Sequence, residues 1–203
     1  MMNESTLLIV FLKVPKPGFV KTRLAATVGP DRACEIYCEL VERLLERIRS
    51  VPNVELRIAP DDGIVECESW RQPHWEIRSQ GVGDLGARMS RAFEEAFSSG
   101  WDRVLAIGSD CPYVGIEQIQ DGRDRLDRDS VVLGPARDGG YWMIGMGRYL
   151  PSLFDGVEWS TEKVLEQTMK RTEAEGESVS LLEILEDIDD LDAWNRYVNE
   201  KEE

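Results

Sequence analysis

The chain has 203 residues, 42% hydrophobic and 31% charged, which is long enough and apolar enough to build the core of one ordinary α/β domain. Its formal net charge of −15 argues against nucleic acid or an anionic membrane as the main partner, because phosphate-bearing surfaces are bound by basic patches. No apolar run reaches the roughly eighteen residues of a membrane span, and the N-terminus lacks the basic segment and small-residue cleavage site of a secretory signal, so the cytoplasm is the expected compartment.

The spacing predicts alternating strands and helices in chain order, the mark of an α/β fold. Residues 6–12 read as a buried first strand, with Leu7, Leu8, Ile9 and Val10 in an unbroken apolar run. From Asp31 to Ser50 the apolar residues Ala33, Ile36, Tyr37, Leu40, Val41, Leu44, Leu45 and Ile48 recur at helical steps, between Pro30 and Pro52. Residues 54–59 form a second strand and 75–78 a short third. Gln80 to Gly86 is a turn that leads into a helix with Leu85, Met89, Ala92, Phe93, Ala96 and Phe97 on its buried face and Asp84 as its N-cap. A strand over 103–107 is followed by a polar helix over 115–128, a strand at 130–133, a loop over 134–140 and a strand over 141–145. Helices at 162–171 and 191–198 close the chain. No repeat or linker interrupts this order, so a single domain spanning 1–203 is expected.

Positive charge gathers in one place. Residues 1–30 carry Lys13, Lys16, Lys21 and Arg23 against a single acid, Glu4, whereas residues 155–203 carry sixteen acidic and five basic side chains. The basic residues are interleaved with Pro15, Pro17 and Gly18. Each proline holds its predecessor extended, and the glycine lets backbone approach an anion closely. A stiff basic loop after a buried strand suits a di- or triphosphate. Two further motifs fall at predicted strand ends, where ligands of open α/β sheets collect: Gly108-Ser109-Asp110-Cys111-Pro112 and Ala136-Arg137-Asp138-Gly139-Gly140. Base at the first site and acid at the other two point to phosphates bridged by Mg²⁺ or Mn²⁺, both of which favour oxygen ligands.

Each residue also has a plainer reading. Asp110 could cap a turn before Pro112, and Asp138 could simply begin a turn. Asp187-Ile188-Asp189-Asp190-Leu191-Asp192 could be either spaced metal ligands or an acidic first turn favoured by a helix dipole, and Trp159-Ser160-Thr161 a cap with a packed aromatic. The four cysteines form no CxxC pair and His74 is the only histidine, which disfavours a structural zinc site and a Ser-His-Asp or Cys-His hydrolase. A GxGxxG dehydrogenase is disfavoured because the loop after strand one is rich in proline and lysine.

Taken together, the motifs resemble the nucleotide-diphospho-sugar transferase superfamily with the GT-A fold. They are most similar to the small bacterial glycosyltransferase-like proteins related to phospholactate and molybdenum-cofactor guanylyltransferases. The resemblance rests on F-x-K-x-P-x-P-G-x-V-K-T-R-L at 11–24, Q-x-x-x-D-L-G-x-R-M at 80–89, G-S-D-C-P at 108–112 and G-P-A-x-D-G-G-Y-W at 134–142. It implies a single-domain three-layer α/β/α sandwich, Rossmann-like, with a mostly parallel mixed sheet. It further implies nucleotide and phosphate contacts from Lys13, Pro17, Gly18, Lys21, Thr22, Arg23, Gln80, Asp84 and Leu85, and a metal at Asp110 and Asp189. Asp138 and Lys21 would be catalytic, and Gly139, Gly140, Tyr141 and Trp159 would meet the acceptor. Asp187-Ile188-Asp189 is similar to the D-I-D-T-P-E-D element of related nucleotidyltransferases, with Asp190 and Leu191 in place of Thr-Pro.

The expected activity is a metal-dependent transfer from a nucleotide-sugar to a small acceptor. The alternatives are nucleotidyl transfer from a nucleoside triphosphate with release of pyrophosphate, toward which the single Asp of G-S-D-C-P leans, and a catalytically silent nucleotide-binding protein on the same fold. Base, sugar, acceptor and oligomeric state are not legible.

Overall fold

The structure, a computed structural model, describes residues 5–200. Seven strands form one sheet: β1 (Thr6–Lys13), β2 (Val54–Ala59), β3 (Glu76–Ser79), β4 (Arg103–Ile107), β5 (Val131–Pro135), β6 (Tyr141–Met146) and β7 (Val179–Leu181), in the order β3-β2-β1-β4-β6-β5-β7. Only β6 runs against its neighbours, antiparallel to both β4 and β5. The helices are α1 (Thr22–Val28), α2 (Pro30–Arg47), α3 (Leu85–Ser98), α4 (Ile116–Arg125), α5 (Val164–Ala174) and α6 (Leu191–Asn199), with 3₁₀ segments at Asp61–Trp70 and Pro151–Phe154. This is the mostly parallel α/β arrangement expected of a GT-A fold.

The strand β1 shows why. It pairs in parallel with β2 on one side and β4 on the other, so both its faces are covered and the sequence there is apolar without alternation. Leu8, Val10 and Leu12 turn to the layer of α2 and of Val114 and Ile119, while Leu7 and Ile9 turn to Met89, Ala92 and Phe93 of α3 and to Leu153 and Phe154. A third cluster joins Leu24 of α1, Ile36 and Leu40 of α2, and Ile188, Trp194 and Tyr197 near the C-terminus. Because β1 to β5 all run the same way, their C-terminal ends share one edge, and β6 starts there.

The structure adds elements that periodicity does not predict. The basic loop runs directly into α1, which is only seven residues long and fully buries Leu24 alone, too few positions to display a helical stripe. Its helicity comes from packing that single leucine against α2 and α6. The strand β7 has three half-exposed residues held by parallel pairing with β5. The polar helix is shorter than the sequence suggests, ending at Arg125, and the third strand lies one residue later, at Glu76–Ser79. The reading of the N-terminus as no secretory signal rests partly on residues 1–4, which lie outside the described residues; among the described ones, no helix is long and apolar enough to cross a membrane.

One tyrosine ties the helix layer to the functional edge. The buried Tyr37 hydroxyl accepts from the Lys13 amide at 2.7 Å and donates to the Lys13 carbonyl at 3.0 Å, fixing the end of β1. Tyr37→Phe leaves both backbone groups without that partner, at an expected cost of about 1–3 kcal/mol in urea unfolding.

Candidate active site at the strand edge

Beyond Lys13 the chain makes a tight turn, closed by the Phe19 amide on the Lys16 carbonyl at 3.0 Å. Pro17 stands at its second position and Gly18 at its third with φ +82°, a backbone shape that calls for glycine. These two residues shape the loop and do not line the cleft described below. The next turn places Lys21 at the N-cap of α1 with φ +47°, left-handed for a residue that has a Cβ.

The result is a buried ammonium. The Lys21 side chain is 3% exposed, and its Nζ lies 2.6 Å from Asp110 Oδ1 and 3.5 Å from Asp189 Oδ1. It also donates to the Ile188 carbonyl at 2.6 Å. The resemblance assigns Lys21 to the nucleotide phosphates; in the structure its partners are carboxylates. Arg23, 73% exposed, meets the other oxygen of Asp189 at 3.2 Å.

Asp189 reaches Asp110 because residues 185–188 are stitched across the strand ends. The Leu185 amide donates to Pro135, the Arg137 amide to Leu185, and the Ile188 amide to the Asp110 carbonyl at 2.8 Å. This segment also carries Asp187 into the cleft, whereas Asp190 turns away and caps α6 through the Ala193 amide at 2.8 Å. The helix-entry reading of the acidic stretch therefore holds for Asp190, while Asp187 and Asp189 face the cleft.

These groups line a cleft of about 660 Å³. Lys13, Lys21, Thr22, Arg23, Gln80, Asp84, Leu85, Asp110, Asp138, Gly140, Tyr141, Trp159, Asp187 and Asp189 all contribute to its wall. Several have structural duties as well. Asp84 caps α3 through the Ala87 amide at 2.9 Å. Gln80, 5% exposed, donates to the Leu12 and Arg57 carbonyls and so joins the ends of β1 and β2. Asp138 Oδ1 accepts from the Gly140 amide at 2.9 Å, which fixes the carboxylate. Gly139 has φ +88° and is pressed against the backbone of Glu162, outside the lining. The Tyr141 hydroxyl is buried, and burial pushes it well above the ordinary phenol range, so only its ring flanks the cleft. Trp159 packs on the first turn of α3, where a methyl at Gly86 would come within 2.4 Å of its Nε1.

Two contributors escaped the sequence reading. Arg88 lines the cleft with its guanidinium on the Gly83 carbonyl at 2.9 Å and on Gln80 Oε1 at 3.3 Å; its signal is the R of Q-x-x-x-D-L-G-x-R-M. Tyr37 lines it from α2, hidden among residues that read as core. Cys111, beside Asp110, is core: burial pushes its thiol up to about 12.

The comparisons with known proteins agree with this fold. The family described as an uncharacterized protein conserved in bacteria (DUF2064) matches residues 44–161. The chain belongs to that family. Among solved structures it is similar to a Desulfovibrio desulfuricans G20 protein, provisionally named a nucleotide-diphospho-sugar transferase, at 32% identity over 93% of this chain and 84% of the other, with a TM-score of 0.87. A Mycobacterium tuberculosis H37Rv protein solved in complex with manganese shares the fold at 12% identity, 96% and 97% coverage and a TM-score of 0.58. A curated relative, a phosphoenolpyruvate guanylyltransferase of Sphaerobacter thermophilus, is 26% identical over 132 residues, 64% of this chain; the match spans 62% of that relative's length. The chain thus shares the GT-A-like fold of these transferases.

Asp187 is the least compensated carboxylate of the cluster. Burial, and then the charges of Asp110 and Asp138, push it up to about 7, against the pull of Lys21. The folded protein therefore binds this proton more tightly than the unfolded chain does, and metal-free stability falls as pH rises from the ordinary carboxylate range through 7. Asp187→Asn removes the penalty. With no divalent cation added, the variant should match the wild type near pH 4 and exceed it by roughly 2 kcal/mol at pH 8 in urea unfolding, after allowance for solvent screening.

Proposed function

We propose that the protein transfers a glycosyl group from a nucleotide-diphospho-sugar to a small hydroxyl-bearing acceptor in a reaction that depends on Mg²⁺ or Mn²⁺. The observation that supports this most is the meeting, in one cleft, of the Lys13–Arg23 basic loop with Asp110, Asp187 and Asp189. The donor's diphosphate lies against Lys13, Thr22 and Arg23, and its nucleoside against Gln80, Asp84 and Leu85, with Gln80 and Arg88 acting as braces that keep the ends of β1, β2 and the α3 turn in register.

A divalent cation fits the donor set. The carboxylates are hard oxygen ligands, and burial together with the charges of Asp110 and Asp138 pushes Asp187 up in spite of Lys21. Among the described residues no cluster of three or more His, Cys, Asp or Glu forms a cage for a metal by itself, which suits an ion that shares its ligands with substrate phosphates. Asp110 and Asp189 would hold it, with Asp187 beside them. When bound, it supplies positive charge to the departing diphosphate.

The remaining steps belong to side chains. Lys21 holds Asp110 and Asp189 in position and brings fixed positive charge to the cleft wall, so the leaving group meets an arrangement that needs no reorganisation. Asp138, with one oxygen occupied by Gly140, has its other oxygen for the acceptor hydroxyl. That hydroxyl oxygen bonds to the anomeric carbon, its proton passes to Asp138, the bond from the anomeric carbon to the phosphate oxygen breaks, and nucleoside diphosphate leaves. A second reading, favoured by the guanylyltransferase relative, replaces the donor with a nucleoside triphosphate and the leaving group with pyrophosphate.

A thermal-shift panel of nucleotide-sugars and nucleoside triphosphates, each with and without Mg²⁺ or Mn²⁺, tests this. A nucleotide-sugar at about 100-fold its Kd should raise the wild-type midpoint by roughly 5 °C only when the metal is present, and Asp110→Asn should lose that rise while keeping the metal-free midpoint within a few degrees. Metal-dependent shifts by triphosphates alone, with pyrophosphate released on turnover, would replace the first reading by the second. No shift by any nucleotide contradicts both.

A further inference from the structure

The cations of the cleft all come from one of its halves, which bears on the acceptor. The lining cations are Lys13, Lys21, Arg23 and Arg88. All four come from β1, α1 or α3, the side of the β3-β2-β1 strand ends and of the donor as placed above. The wall from β6 and the segment before α5 holds Asp138, Tyr141, Trp159, Ser160 and Thr161, and none of its lining residues is Lys or Arg. The basic residues nearest in sequence, Arg137 and Lys163, are outside the lining and face Glu186 at 3.9 Å and Glu158 at 3.1 Å.

Resting on the transfer reading above, we propose that the acceptor is an uncharged, polyhydroxylated molecule and not a phosphate ester or a carboxylate. An anion set beside Asp138 would be opposed by like-charge repulsion, and this wall has no cation to offset it. Hydroxyl groups donate to carboxylates at no such cost. The half-buried ring of Trp159, packed on α3, gives a rigid face for the C–H side of a sugar-like skeleton. Beside it, the Thr161 hydroxyl is already committed to the Glu158 carbonyl at 2.7 Å, while Ser160 is exposed on a φ of +64°. The wall thus offers hydrogen-bond acceptors and an aromatic face, and nothing that neutralises negative charge. This separates the chain from its curated relative, whose name specifies phosphoenolpyruvate, an anion.

Matched acceptors test the proposal. With the 203-residue chain, Mn²⁺ and whichever nucleotide-sugar raises the thermal midpoint, release of the nucleoside diphosphate would be followed with glucose, trehalose and glycerol, and in parallel with glucose 6-phosphate, trehalose 6-phosphate, glycerol 3-phosphate and phosphoenolpyruvate. At least one neutral compound is expected to stimulate release about tenfold or more over its charged counterpart, with the adduct seen by mass spectrometry. Thr161→Arg, which adds a cation to an exposed position of this wall, is expected to narrow the ratio about tenfold. Equal or greater stimulation by the charged compounds overturns the proposal, as does no stimulation by any neutral one while the donor still binds. If no donor binds, the underlying transfer reading is what has failed.

Discussion

A lysine ammonium set among carboxylates is the interaction on which the cleft depends. Lys21 contacts Asp110 from the end of β4, Asp189 from the segment before α6, and the Ile188 carbonyl between them. Without a cation there, Asp110, Asp187 and Asp189 would crowd like charges at one edge, and burial with that repulsion already pushes Asp187 up. Burying an ammonium is costly unless it is paired and hydrogen-bonded, and here it is both. The left-handed backbone at Lys21 is part of the same arrangement, since a strained conformation persists where surrounding contacts over-determine it.

Sheet topology makes this meeting possible. Six strands that run the same way bring their C-terminal ends to one edge, and β6, running back, begins there. The sequence therefore returns to that edge in the basic loop, at Gly108–Asp110 and at Asp138–Gly140, and the segment at 185–188 returns to it a further time by bonding across the ends of β4 and β5. The overall charge of −15 does not describe the cleft, whose cations sit on one side and whose acids, Asp84 apart, sit at its centre and on the other.

What was legible in the sequence was local. The apolar run of β1, the helical stripe of α2, the capping Asp84 and the strand-end positions of Asp110 and Asp138 each follow from spacing within a few residues. The partner of Lys21 did not, because the contact spans 167 residues and exists only once 185–189 is stitched to β4 and β5. Nor could spacing separate Asp189 from Asp190, adjacent carboxylates of which one faces the cleft and the other caps a helix. Tyr37 read as core because its ring is core; its hydroxyl works on the backbone at the cleft floor. Short elements such as α1 and β7 carry too few buried positions to announce themselves, and tertiary packing creates them.

The central claim is that Asp110 and Asp189 form the cation end of a nucleotide site whose basic end is the Lys13–Arg23 loop. Anomalous diffraction from crystals soaked in Mn²⁺ with a nucleoside diphosphate addresses it most directly. The account predicts a manganese peak within coordination distance of Asp110 and Asp189, about 2.0–2.3 Å, with the diphosphate bridging from it to Lys13 or Arg23. A nucleotide bound elsewhere, or a diphosphate in the cleft whose manganese avoids both carboxylates, would contradict it.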